Sequence, residues 1–561
     1  MSPMKLIRSL SYVFALTLTM PAIGAQSHHN HSHTTTGLSV AGTVPLYENL
    51  GNHHYPVTTG SPVVQRYFDQ GVRLYYAFNH QEAIRAFEEA ARLDPRCAMC
   101  YWGVALAHGP NINAPLEKPA ALAAYAAIQQ ALALATHASD RERALIQALA
   151  VRYAATPADD RSALDQAYAR AMLEFTRRYP DDLEGATLYA ESLMDLSPWN
   201  YWTGEGTPRP ATREILAQLE RVMAVSPNHP GANHFYIHAV EAVEPQRAVG
   251  AAERLATLMP GAGHIVHMPG HIYVRVGRYE DAIKANEHAV HADESFIRDQ
   301  SPAFGIYVAG YYPHNYDFLA FAASMIGRSA QSIAAAEKMA TLAPADVLRE
   351  PGMTFIQHHQ TRHLQLKVRF GRWSDIRKAT QPPADLPHAR AIWHYAQGRA
   401  FAASGDPKRA AEHLARLVDA ARDPQLAFQR LEFNTSGAVL SIAAKVLSGH
   451  IALAEKNYAR AIVELREATR LEDALTYGEP PEWTVPVRQE LGVALLEAGR
   501  PVLAETIFRE DLKRFPANGW SLHGLSRSLR AQHRDDDAET VEKDFERTWA
   551  GADVPPGPLD S

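Results

Sequence analysis

The chain has 561 residues, 46% of them hydrophobic and 21% charged, which is ample material for a sizeable core. A formal net charge of −7 and a pI near 6.5 give no broad basic field, so nucleic acid and anionic lipid are excluded as expected partners. Histidine is the outlier at 27 copies, and it is the side chain most used to bind transition metals.

At the N-terminus, Lys5 and Arg8 precede an apolar stretch from Tyr12 to Met20, and the small residues around Pro21 to Ala25 lead into a polar run. This order predicts a cleaved secretory signal over residues 1–25, because the apolar stretch falls short of the roughly 20 residues a spanning helix needs. No later segment reads as long and apolar enough to cross a bilayer, so the expected location is periplasmic or secreted, with no membrane insertion. Residues 26–60, rich in His, Ser, Thr and Gly, predict a flexible leader whose His28, His29, His31 and His33 chelate metal loosely. Cys97 and Cys100 are the only cysteines. Their first reading is a local disulfide, ahead of a redox pair, which lacks a strand-helix context, and half a metal site, which lacks a second C-x-x-C.

From residue 61 the pattern becomes periodic. Gly71, Tyr75, Tyr76 and Ala83 lead to Phe87, Ala90 and Pro95, and Gly270 leads through Tyr273, Gly277, Tyr279 and Ala282 to Ala289. Further turns at Gly327, Gly371, Gly405 and Gly499 each join two apolar-periodic stretches, with Gly398 to Ala410 the cleanest copy. These residues resemble the tetratricopeptide repeat (TPR) superfamily, over most of residues 61–546. The resemblance implies an all-α, TPR-like α-solenoid, a right-handed superhelix of helix pairs whose first helices line a concave groove for a partner. It implies no chemistry. Gly371 to Gly405 spans 34 residues, but Gly277 to Gly327 spans 50 and Gly327 to Gly371 spans 44, so longer loops interrupt the array. Two irregular segments, 109–115 and the aromatic run 197–202, are candidates to close over the groove. Residues 547–561, rich in Pro and Gly, predict a disordered tail.

The histidines concentrate in the middle of the array. His234, His238 and Glu241 share one face at helical spacing, and His264, His267 and His271 share another. His264, His314 and His358 each lie thirteen residues before a turn glycine, at Gly277, Gly327 and Gly371, while His267 and Asp317 lie ten before theirs. His234 and His238 join this register if Glu244 stands in for a turn glycine. Pro269 either kinks the helix carrying His264 and His267 or starts a new one. The segment also resembles a group of exported bacterial TPR proteins with motifs like N-H-F-Y-I-H, H-M-P-x-H-I-Y and Y-x-P-H-N-Y. That resemblance implies that His234, His238, His267, His271 and His314 act together, and names no reaction.

These observations predict an exported TPR-type metalloprotein with a transition ion, copper or zinc ahead of iron, in the groove. The candidate ligands are His234, His238, His264, His267, His271 and His314, with Asp317 a further ligand or supporting group. In a hydrolytic version Glu241 is the candidate general base, and a small molecule or peptide is the groove's occupant; redox chemistry is the other enzymatic version. The alternative is a non-catalytic module that captures a peptide or protein, or one that handles metal. Glu287 with His288 and His291 does not follow the zinc-protease order and reads as surface. The chain has no Gly-rich phosphate loop, nucleophile elbow or basic-aromatic face.

Overall fold

The computed structural model describes residues 44–555; the predicted signal and residues 26–43 of the leader lie outside them, as do residues 556–561. Among the described residues every regular element is helical, and strand-like pairing is limited to isolated bridges such as Asn111 with Ala114. The fold is all-α and TPR-like in its local pattern: within each unit, short turns fold successive helices back on one another. The chain divides into two compact units, one ending at Phe235 and the other beginning at Tyr236.

In the first unit, Ser61 caps the helix Pro62–Tyr76, and Pro62 is tolerated there because first-turn amides have no helical acceptor. A Cβ added at Gly71 or at Gly103 would overlap the ring of Phe87, which sits on the intervening helix His80–Leu93. Each glycine is thus a notch that admits one aromatic ring to close packing on two sides. Cys97 and Cys100 form a disulfide at the start of Ala98–Ala107. The two irregular segments bond to each other, Trp199 Nε1 donating to Asn113 Oδ1 at 3.0 Å.

The flexible-leader reading needs correction for residues 44–60. Asp69 and Gln70 are buried on the helix Pro62–Tyr76, and they hold the preceding segment in place. Asp69 Oδ1 accepts from the Tyr55 amide at 3.1 Å, while Gln70 accepts from the Tyr47 amide at 2.8 Å and donates to the Pro45 carbonyl at 2.9 Å. Buried polar groups require partners, and the segment's backbone supplies them.

The second unit repeats the same devices. Phe508 fills notches at Gly492 and Gly524, sixteen residues to either side, as Phe87 does between Gly71 and Gly103. The predicted turn glycines Gly277, Gly327, Gly371, Gly405 and Gly499 all have positive φ, between 62° and 80°, the left-handed conformation that ends a helix at least cost on glycine. Glu244 does not substitute for one of them, since its φ is −122°.

Two further readings change here. Ser436–Ala454 is long and apolar enough, by length and composition, to cross a membrane, contrary to expectation. Its apolar residues, among them Leu440, Ile442, Val446 and Leu447, are buried in the unit's core. The predicted tail is ordered as far as residue 555: the helix Asp535–Trp549 continues into a segment where Asp553 accepts from the Ser329 and Ala330 amides at 2.6 and 2.8 Å. Those amides open the helix Ser329–Met339 and lack intrahelical acceptors, so a carboxylate there completes them.

Candidate metal centre

Three helical segments of the second unit carry the candidate ligands other than His234: the end of Pro230–Val240 with the residue after it, the Gly263–Arg275 stretch, and Tyr312–Met325. Pro269 opens a new helical segment, Pro269–Arg275, directly after Gly263–His267. Met268, between Gly263–His267 and Pro269–Arg275, keeps helical dihedrals of −51° and −35°, so His264, His267 and His271 hold near-helical spacing. A π-helical turn at Tyr307–Tyr311 precedes Tyr312–Met325, the helix of His314.

The imidazoles converge in two overlapping groups. Ligand atoms of His267, His271 and His314 lie within 4.8 Å of one another, and the same holds for His238, Glu241 and His271. His267 and His271 are buried and His314 is half-buried, with Phe318 packed against all three rings at centroid distances of 4.5–5.0 Å. His264 packs on Tyr311 at 4.6 Å. His234 belongs to the first unit, where its Nδ1 donates to the Tyr76 carbonyl at 2.7 Å.

The hydrogen bonds fix which ring nitrogen carries the lone pair. His238 Nδ1 and His271 Nδ1 each face one oxygen of Glu241, at 2.8 and 2.6 Å. His267 Nδ1 faces Asn286 Oδ1 at 2.7 Å, and Asn286 is locked in that orientation because its own Nδ2 donates to the Ala282 carbonyl at 2.8 Å. With acceptors at all three Nδ1 atoms, the hydrogens sit there and each neutral ring presents a lone pair at Nε2. Yet the Nε2 atoms of His267 and His271 face each other at 2.9 Å. Two lone pairs at that distance repel unless a proton or a metal cation lies between the rings. The separation is close to the roughly 3.3 Å expected between two nitrogens of one tetrahedral zinc ion. By this test the residues fit a transition ion.

Burial pushes the Glu241 carboxyl up, but His271 and His238 outweigh it and hold the carboxyl at about 2, so it stays ionised beside the rings. Burial holds His314 well below the usual histidine range, with His267 and His271 adding to the effect, and a neutral imidazole is the form that ligates. Burial likewise lowers His238, against the pull of Glu241.

Both oxygens of Glu241 are taken by imidazoles, and Tyr477 OH adds a third bond at 3.3 Å. That arrangement orients the two imidazoles; with both oxygens engaged, it does not suit the general base expected of Glu241. Asp317 is drawn away by Arg362, whose Nε and Nη2 donate to its two oxygens at 2.8 and 2.6 Å. His358, despite its register, uses both ring nitrogens elsewhere, donating to the Glu482 carbonyl at 2.9 Å and accepting from His388 at 3.0 Å. Asn286 and Phe318 carried no signal in the sequence, because an uncharged amide and a core aromatic are ordinary residues until their neighbours are known.

A third group, in the first unit, was also invisible to spacing: His53 Nε2 and His229 Nε2 stand 2.5 and 3.1 Å from Glu184 Oε1. Here the tautomer is the opposite one. His229 Nδ1 accepts from the Ala232 amide at 3.1 Å, which places the hydrogen on Nε2 and removes the lone pair a metal would need.

No protein-family model matches the chain, and no curated protein matches it. Among solved structures, it is similar to a human IFIT1 dimer with m7Gppp-AAAA, at 12% identity over 87% of this chain and 90% of that one, with a TM-score of 0.32. It is also similar to the APC/C hetero-tetramer Cut9-Hcn1, at 15% identity over 83% and 76% with a TM-score of 0.31. A third is the TPR domain of P58(IPK), at 13% over 65% and 93% with a TM-score of 0.19.

Proposed function

We propose that this protein is an exported metalloprotein that holds one transition ion on His267, His271 and His314, with Glu241 and Asn286 orienting the imidazoles. What carries the reading is the pair of Nε2 atoms facing at 2.9 Å while both Nδ1 hydrogens are committed to fixed acceptors. Nitrogen-only ligation favours zinc or copper, with iron next. When bound, such an ion supplies a Lewis-acid centre or, if copper or iron, one-electron chemistry. A small molecule or peptide would approach from the side of His314, the one of the three residues that is not fully buried. The Cys97–Cys100 disulfide supports an oxidising, extracytoplasmic location.

The test is elemental analysis of protein lacking residues 26–40, so that the leader histidines do not contribute, beside the same chain carrying His267→Ala and His271→Ala. About one equivalent of metal is expected in the first protein and well under a tenth of that in the second. Stoichiometric metal in neither, or in both equally, sinks the reading.

A further inference from the structure

Four arginines are buried among the described residues: Arg152, Arg362, Arg369 and Arg399. Three have a carboxylate of the chain itself, at 2.6 Å on Asp195, 2.6 Å on Asp317 and 2.8 Å on Glu490. Arg369 has none. It is 6% exposed, and its bonds are two long ones, Nε to the Ser324 carbonyl at 3.4 Å and Nη2 to Met325 Sδ at 3.5 Å. Its guanidinium lies 4.6 Å over the ring of Trp520, which is itself fixed by a bond from Nε1 to the Ser324 carbonyl at 2.8 Å.

A buried guanidinium with no carboxylate in ion-pair contact is costly, and a chain that keeps one gains from an anion that makes that contact. Arg369 lines a cavity of about 340 Å³, within the range of small-molecule sites. Its walls come from successive elements of the second unit: Trp373, Arg399, Tyr458 and Trp520 line it, with Lys456 exposed among them. Two acidic residues, Glu490 and Glu497, also line it, but Glu490 is committed to Arg399 at 2.8 Å and to His450 at 3.3 Å. Three lysine and arginine side chains against two carboxylates leave the lining with a net positive charge. Burial lowers the Arg369 guanidinium to about 9, against the opposing charges of Asp511 and Glu490, which lie beyond ion-pair contact, and this still leaves it charged at neutral pH.

The geometry points to a ligand site in this cavity, separate from the metal centre, for a small molecule with an oxyanion head group, carboxylate or phosphate, and a flat apolar body. The head group takes the fork of Arg369 in the bidentate geometry that guanidinium offers, and the body lies against the aromatic walls. Arg369 is the specificity-determining residue, because a neutral analogue of the same shape leaves its charge buried and unmatched.

The test uses full-length, metal-free protein, with tryptophan fluorescence and calorimetry as readouts. Phenylacetate and phenyl phosphate distinguish the two oxyanions, phenylacetamide is the neutral analogue, and inorganic phosphate lacks the apolar body. At least one aryl anion is expected to bind at least about tenfold more tightly than phenylacetamide and inorganic phosphate, and Arg369→Met to remove that preference. Arg369→Lys keeps the charge without the fork and falls between. If Arg369→Met does not fold, Ala403→Trp, at an exposed residue of the lining, blocks the cavity and abolishes binding in its place. Equal binding of anion and amide, no binding of either aryl anion at millimolar concentration, or an affinity unchanged by Ala403→Trp overturns the site.

Discussion

Replacing Glu241 by Gln tests the orienting role directly, because it changes one oxygen into an NH2 group and little else. Wild-type Glu241 accepts from His238 and His271 at 2.8 and 2.6 Å, and a glutamine can accept from only one of them. If His271 loses its acceptor, its hydrogen moves to Nε2, where it satisfies the lone pair of His267 at 2.9 Å without any cation. The substitution therefore removes a buried charge, relieves the facing lone pairs and blocks a ligand at once. Supporting groups of this kind are worth about 10- to 100-fold in metal affinity. At about 1.4 kcal/mol per tenfold, the expected loss is about 1.4–2.8 kcal/mol. The assay is competition for zinc against a chromophoric chelator, on protein lacking residues 26–40, with His271→Ala as the benchmark for a missing ligand. Thermal unfolding of the metal-free variant is expected to change far less than its affinity does. An affinity within about twofold of wild type in a folded Glu241→Gln protein would refute the orienting role.

Three more outcomes follow from packing and charge. A Cβ at Gly270 would sit 2.8 Å from Asn286 Nδ2, so Gly270→Ala displaces the amide that fixes His267 and should weaken zinc binding about three- to tenfold with every ligand still present; unchanged affinity in the competition assay counts against Asn286. Phe508→Ala empties the space between Gly492 and Gly524 and should cost about 3–5 kcal/mol in urea unfolding, while a cost below about 1 kcal/mol means the notches collapse freely. Burial raises the Glu472 carboxyl to about 7 even though Arg514 opposes it, so the folded state holds its proton more tightly than the unfolded chain does. The group therefore costs stability as pH climbs from about 4.5 to 7, by about 2–3 kcal/mol in all. Glu472→Gln keeps an acceptor for the Val487 amide and should gain stability over wild type at pH 8 relative to pH 5; an equal difference at both pH values contradicts this.

The repeat was legible because its punctuation is chemical: glycines recur where a left-handed turn is needed, and every predicted turn glycine has that conformation. The histidine cluster was legible in part. Helical spacing and register picked out His267, His271 and His314, yet the same register offered His358 and Asp317, which His388, Glu482 and Arg362 engage from positions 30 to 124 residues away. Register fixes where a side chain starts, and long-range partners decide what it does. The packing of residues 44–60 had a local sign that composition masked: Asp69 and Gln70 lie beside Gly71, on a helix face otherwise apolar.

The aromatic rings seated in glycine notches have a bearing on how this chain can be cut. Phe508 belongs to no single helix pair, since its ring is covered by Gly492 from one neighbour and by Gly524 from the other. A fragment ending after the helix Pro501–Arg514 would keep the ring and expose one of its faces, whereas one extending through Gly519–Arg530 keeps it covered on both sides. Fragment boundaries chosen by helix pair would thus leave a sticky aromatic surface at the end, and the natural unit of truncation is the aromatic ring with both of its glycines.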